Sequence, residues 1–77
     1  MRPKGYNPLT VQKIGDANPF LLGVRFAKVC VAKNIPIADV AEYLGVSTSL
    51  VRDWFFGIRE VSDEYAERVE DMLRKLS

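Results

Sequence analysis

Thr48, Ser49, Arg52 and Asp53 stand close together in the run Ser47-Thr48-Ser49-Leu50-Val51-Arg52-Asp53-Trp54-Phe55-Phe56. On a helical wheel Ser49, Asp53 and Phe56 share one side, Thr48 and Arg52 lie on its edges, and Val51, Trp54 and Phe55 take the opposite side. Two hydroxyls that donate and accept, a guanidinium that donates through a planar fork, and a carboxylate that accepts make a surface for hydrogen-bonded recognition of a polar edge. They do not make a reaction centre. His is absent, the one cysteine is Cys30, and no glycine-rich phosphate loop or metal-ligand cluster occurs; the commonest general base and the usual metal and phosphate sites are therefore missing. A chain of 77 residues makes one small domain, without room for a deep cleft beside its core. The expectation is a binding protein with no catalytic residue, no metal and no cofactor.

Holding such a surface in place takes a short helix with a buried back, and the neighbouring residues supply a corner for it. Ile37, Val40, Ala41 and Leu44 recur at helical spacing, and Val51, Trp54, Phe55 and Ile58 repeat the pattern after Gly45. The spacing predicts one helix over residues 37–44, opened by Pro36, and a second over residues 48–56, closed by Gly57. Between them Gly45 can take the left-handed conformation, Val46 can plug the angle and Ser47 is a good N-cap. Ala41 leaves room where the two helices approach.

An earlier helix is expected from Asn18 as N-cap and Pro19 at its first position to about Lys33, with Asn34 as a left-handed cap. Gly23, Phe26, Ala27 and Cys30 form its core face, and Cys30 packs there as a small hydrophobe. Leu21, Leu22, Val24, Val29 and Val31 spread apolar surface further round, which calls for a cover from the N-terminal segment or a second subunit. The last helix begins after Ser62 and carries the stripe Tyr65, Ala66, Val69, Met72, Leu73 and Leu76. Its opposite face sets Glu64, Glu70 and Asp71 four residues before Arg68, Arg74 and Lys75, a solvated row of ion pairs. Residues 1–18 contain Pro3, Gly5, Pro8 and Gly15 and read as an irregular arm, with a short extended piece at residues 9–14. The predicted architecture is all-α: a four-helix domain over residues 19–77 with a helix-turn-helix, preceded by an arm over residues 1–18.

Ala41, Gly45, Val46, Val51 and the ending Trp54-Phe55-Phe56-Gly57-Ile58-Arg59 resemble the helix-turn-helix unit of phage repressor and Cro-type proteins, over residues 19–76. The W-x-x-G-x-R ending is common in such domains. The resemblance implies double-stranded DNA as the partner, transcription regulation as the role, and the helix over residues 48–56 as the element entering the major groove. It also implies base-reading roles for Ser47, Thr48, Ser49, Arg52 and Asp53, and a phosphate contact for Arg59. Each has a plainer alternative: Ser47 is an N-cap in any case, Arg52 could pair with Asp53, and Phe56 could bend back onto Ile58 and Val61. The chain departs from the pattern at Pro36 and Ile37, where many relatives carry a hydroxyl cap and a phosphate-clamping Gln. Lys33, Asn34 or the free N–H groups of that helix start are the expected substitutes. The fifth helix common in the family has no candidate.

Charge is unevenly spread although the total is only +1. Residues 1–33 carry six basic side chains against Asp16 alone, whereas residues 34–77 carry five basic and nine acidic ones. A near-neutral protein binds nucleic acid when its positive charge gathers on one face, and Arg2, Lys4 and Lys13 of the arm join the candidate DNA contacts. A single short helix reads few base pairs, which argues for a homodimer. Arg25 and Lys28 interrupt the apolar run 20–32 before it reaches bilayer length, and the polar start of the chain lacks a secretory pattern; the expectation is a cytoplasmic protein with no membrane partner. The competing reading is a protein-interaction module on the same scaffold, an inhibitor or assembly subunit favoured by the acidic last helix.

Overall fold

Residues suited to helix ends close three of the described helices and cap the start of two. The computed structural model describes residues 6–76, and among them five helices occur: α1 (Pro8–Asp16), α2 (Leu22–Lys33), α3 (Ile37–Leu44), α4 (Thr48–Phe55) and α5 (Asp63–Leu76). Among the described residues the fold is all-helical, as the apolar spacing requires. Helices α2, α3 and α4 end alike. Asn34, Gly45 and Gly57 take left-handed φ of 58°, 73° and 75°. In each case the N–H of the next residue reaches back across the last turn: Ile35 to the Cys30 carbonyl at 2.8 Å, Val46 to Ala41 at 3.0 Å and Ile58 to Asp53 at 3.0 Å. These are Schellman closures, which satisfy carbonyls that the helix itself leaves open.

The segment expected to be irregular, with an extended piece at residues 9–14, is instead helical from Pro8 to Asp16. Asn7 is its N-cap, the Asn7 carboxamide oxygen accepting from Thr10 N–H at 2.8 Å, and Pro8 sits in the first turn, where its missing N–H costs nothing. The same Asn-Pro pair at residues 18–19 does not start a helix. There the Asn18 side chain accepts from Phe20 N–H at 3.0 Å, a tight turn follows, and α2 begins only at Leu22. Leu21 and Val24 are needed against the end of α4: a Cβ built on Gly57 would lie 3.3 Å from Ala17 Cβ, 3.4 Å from Val24 Cγ2 and 3.5 Å from Leu21 Cδ1.

Helix α2 is the hub, packing against α1, α4 and α5, while α3 packs on α4. Its buried face is Gly23, Val24, Phe26, Ala27 and Cys30. Trp54, Phe26 and Phe55 are the largest fully buried side chains; Phe26 meets Phe55 edge-on at 5.8 Å and Trp54 meets Tyr65 of α5 at 5.7 Å. The cover that α2 calls for comes from its own chain: Ile14 of α1 is buried in the core. Tyr6 packs 6.4 Å from Phe55, and its hydroxyl donates to the Ile35 carbonyl in the α2–α3 connection. On α5, Asp71 pairs with Lys75 at 3.2 Å, and Arg74 turns to Asp71 at 3.3 Å rather than to Glu70. The hydrogen bond and charge of Lys75, with Arg74 beside it, hold the Asp71 carboxyl below its ordinary range.

Helix α2 lies tightly on α4 at Gly23. A Cβ there would stand 2.6 Å from the Trp54 carbonyl oxygen and 2.8 Å from Trp54 Cβ, so no larger residue fits without moving backbone. Gly23→Ala will lower unfolding free energy by about 1–3 kcal/mol through overpacking, even though Ala is the better helix former. Gly15→Ala, with nothing within 4 Å of the new methyl, will raise it by up to about 1 kcal/mol. Chemical denaturation of the two variants reads both signs.

Burial pushes the Cys30 thiol from its usual 9.0 up to about 12, and it pushes the Tyr6 hydroxyl up as well. The unfolded chain therefore releases the Cys30 proton before the folded one does. The stability tied to the neutral thiol is complete below pH 9.0 and is lost as pH rises toward about 12. Unfolding free energy measured between about pH 8.5 and 9.5, below the point at which tyrosines half-ionise in the unfolded chain, will fall with pH in the native chain and less steeply in Cys30→Ala.

Candidate nucleic-acid interface

The buried side of α4 is Val51, Trp54 and Phe55, which turns Thr48, Ser49 and Arg52 outward, where all three are exposed. Ser47 fixes the start of the helix: its hydroxyl accepts from Leu50 N–H at 3.1 Å, so the hydroxyl serves as the N-cap that its position suggests. The exposed side of α4 thus offers two hydroxyls in its first turn and the Arg52 guanidinium in its last. Among the described residues Arg52 is in no ion pair, so the expected alternative pairing with Asp53 does not form.

Asp53 goes elsewhere. Its carboxylate is 3.6 Å from Arg59 Nε, with the two side chains 33% and 64% exposed, and its backbone carbonyl accepts from both Ile58 and Arg59 N–H groups. The left-handed turn at Gly57 brings Arg59 back beside the helix it follows. Of the remaining candidates, Lys33 closes α2 and Asn34 is its left-handed cap, both exposed; no hydrogen bond or ion pair among the described residues joins them to α4. Arg2 and Lys4 lie outside the described residues. Phe56, the C-cap of α4 with φ −90° and ψ 0°, is half-buried, and Lys13 Nζ of α1 stands 5.6 Å over its ring.

Residues that the sequence reading did not assign to this surface come from α1 and the turn before it. A groove of about 180 Å³ is lined by Tyr6, Asn7 and Thr10 on one side, Pro36 and Ile37 at the start of α3, and Arg52 and Phe56 of α4. Asn7-Pro8 is the signal that could have revealed α1, being an N-cap followed by a first-turn proline. At the start of α3 the N-cap is Pro36, with no side-chain hydrogen bond.

A family model described as helix-turn-helix matches residues 26–76, from the middle of α2 through the end of α5. The chain belongs to the helix-turn-helix family of the XRE, Cro/C1-like type. That membership makes it a DNA-binding regulator of this family. No curated protein and no solved structure matches the chain. The match begins after α1, so α1 and the turn that follows it lie outside the matched residues. No helix among the described residues is long and apolar enough to cross a membrane.

The cap is separable from the surface. Ser47→Ala will lower stability by about 1 kcal/mol, and Ser47→Asn will restore most of it by accepting the same N–H bond. Thermal melts of the three chains measure this without DNA present.

Proposed function

We propose that the protein is a sequence-specific regulator that reads the major groove of double-stranded DNA with α4 and represses by occupying its site as a homodimer in the cytoplasm. The observation that carries this reading is the outward set Thr48, Ser49 and Arg52 on a helix whose other face is locked in the core. An arginine fork donates twice to guanine, and serine or threonine hydroxyls bond several base edges. Arg59, steered by Asp53 at 3.6 Å, is suited to a phosphate beside the groove, where a cation adds position and affinity but not sequence information.

Dimerisation follows from economy of contact. An α4 of eight residues covers only part of a site, and two copies about a two-fold axis read an inverted repeat with half-sites about one helical turn apart. Phe20 and Ile58, 88% and 71% exposed, supply apolar area for such a contact.

Selection of bound duplexes from a random pool is the deciding experiment. It will return an inverted repeat, and affinity for that site will fall steeply with added salt as bound counterions are released. Arg52→Ala will cost about 1–3 kcal/mol of binding and relax the preference at one base position per half-site. A pool with no enriched sequence, together with weak binding at low salt, would overturn the proposal in favour of a protein partner.

A further inference from the structure

Asn7, the N-cap of α1, and Thr10 and Lys13 within it are spaced three residues apart and so lie along one edge of that helix. The edge faces α4 and the start of α3: Asn7 and Thr10 line the groove shared with Ile37, Arg52 and Phe56, and Lys13 stands over the Phe56 ring. Arg52 and Phe56, four residues apart, form the matching edge of α4. The groove thus lies between α1, the start of α3 and α4, with the Arg52 guanidinium lining it and Lys13 beside it, over the ring of the lining residue Phe56. Among the described residues neither cation is in an ion pair. Asp39, the nearby carboxylate that bears on Tyr6, is not among the residues lining the groove.

We infer that α1 is a second DNA-contacting element, which lays its Asn7–Thr10–Lys13 edge along the phosphate backbone beside the groove entered by α4. The inference rests on the DNA-binding reading above and adds to it a helix outside the residues that the family model matches. Its chemistry is that of a positioning contact. Thr10 and Asn7 offer side-chain hydrogen bonds to phosphate oxygens, and Lys13 supplies charge. Phe56 restricts where that charge can stand, because the cation is attracted to the ring face. Such a contact answers a specific shortage: the start of α3 carries Pro36 and Ile37, neither of which has a polar side chain to hold the backbone. Ile37 and Thr10 line the same groove, so α1 delivers polar groups to the place where α3 lacks them.

The test compares the full chain with Lys13→Gln, Lys13→Arg and Lys28→Gln on the duplex selected by the native protein and on unrelated duplexes. Lys28 is a matched control, since it lines a different groove, of about 770 Å³, between α2 and α5. If α1 contacts phosphate, Lys13→Gln weakens binding to all duplexes alike, and its plot of log affinity against log salt is shallower by about 0.9. Its deficit then shrinks about threefold between roughly 50 and 200 mM salt. Lys13→Arg keeps native affinity and slope, and Lys28→Gln behaves as native. Thermal melts of the same variants separate a lost contact from a loosened α1. A Lys13→Gln protein that melts as the native chain does and binds with native affinity and slope overturns the role of α1 while leaving α4 as reader. Failure of the native chain to bind any duplex overturns both.

Discussion

The approach of Gly23 to Trp54 is the constraint on which the other placements depend. With a Cβ at position 23 destined to sit 2.6 Å from the Trp54 carbonyl oxygen, α2 and α4 meet backbone against backbone, with no side-chain layer between them. That proximity puts Trp54 and Phe55 among Phe26, Tyr65 and Tyr6. An eight-residue helix has little stability of its own; α4 is held by the burial of Val51, Trp54 and Phe55. The orientation of the outer face follows from the same contact. Thr48, Ser49 and Arg52 face solvent because Val51, Trp54 and Phe55 cannot.

Most of this was legible from apolar spacing and helix-end residues. Gly45 between two apolar stripes, Asn34 after Lys33 and Gly57 after Phe56 mark the three Schellman ends, because only a few residue types accept a left-handed backbone. Cys30 and Trp54 were legible as core from the phase they share with their neighbours. What was not legible is α1. Pro8 and Gly15 look like breakers, and a nine-residue segment with Leu9 70% exposed and Val11 40% exposed has a weak amphipathic pattern. Its helicity is decided by tertiary contacts, the burial of Ile14 and the tether from Tyr6 to Ile35, which link residues far apart in sequence. The contrast between residues 7–8 and 18–19 makes the same point: one dipeptide starts a helix or a turn according to what the following residues must touch.

The partner of Asp53 was equally hidden from a wheel. Arg52 is its neighbour in sequence, yet adjacent residues on a helix point about 100° apart and do not face one another. The carboxylate is met instead by Arg59, six residues on, because the reversal at Gly57 folds the chain back and both residues are tied to the Asp53 carbonyl through the Ile58 and Arg59 N–H groups. Reading this pair needed the geometry of the helix end, which local periodicity does not contain.

That pairing divides labour between the charges of the site. The total charge of +1 leaves little general attraction for a polyanion, so the location of unpaired cations governs what the surface can do. On α5 the carboxylate of Asp71 is answered within its own helix by Lys75 and Arg74, and the helix packs on α2. At α4 the single local carboxylate is occupied by Arg59 at 3.6 Å. Had Asp53 taken Arg52 instead, the one guanidinium on the exposed edge of the short helix would be directed along the helix and partly neutralised. Because Asp53 takes Arg59, a residue beyond the helix, Arg52 keeps its full set of donors and its freedom to meet a flat polar edge, while Arg59 is held for a contact whose value lies in position. The near-neutral composition and a surface suited to nucleic acid are thereby compatible, since the balance of charge is struck away from the groups that would read.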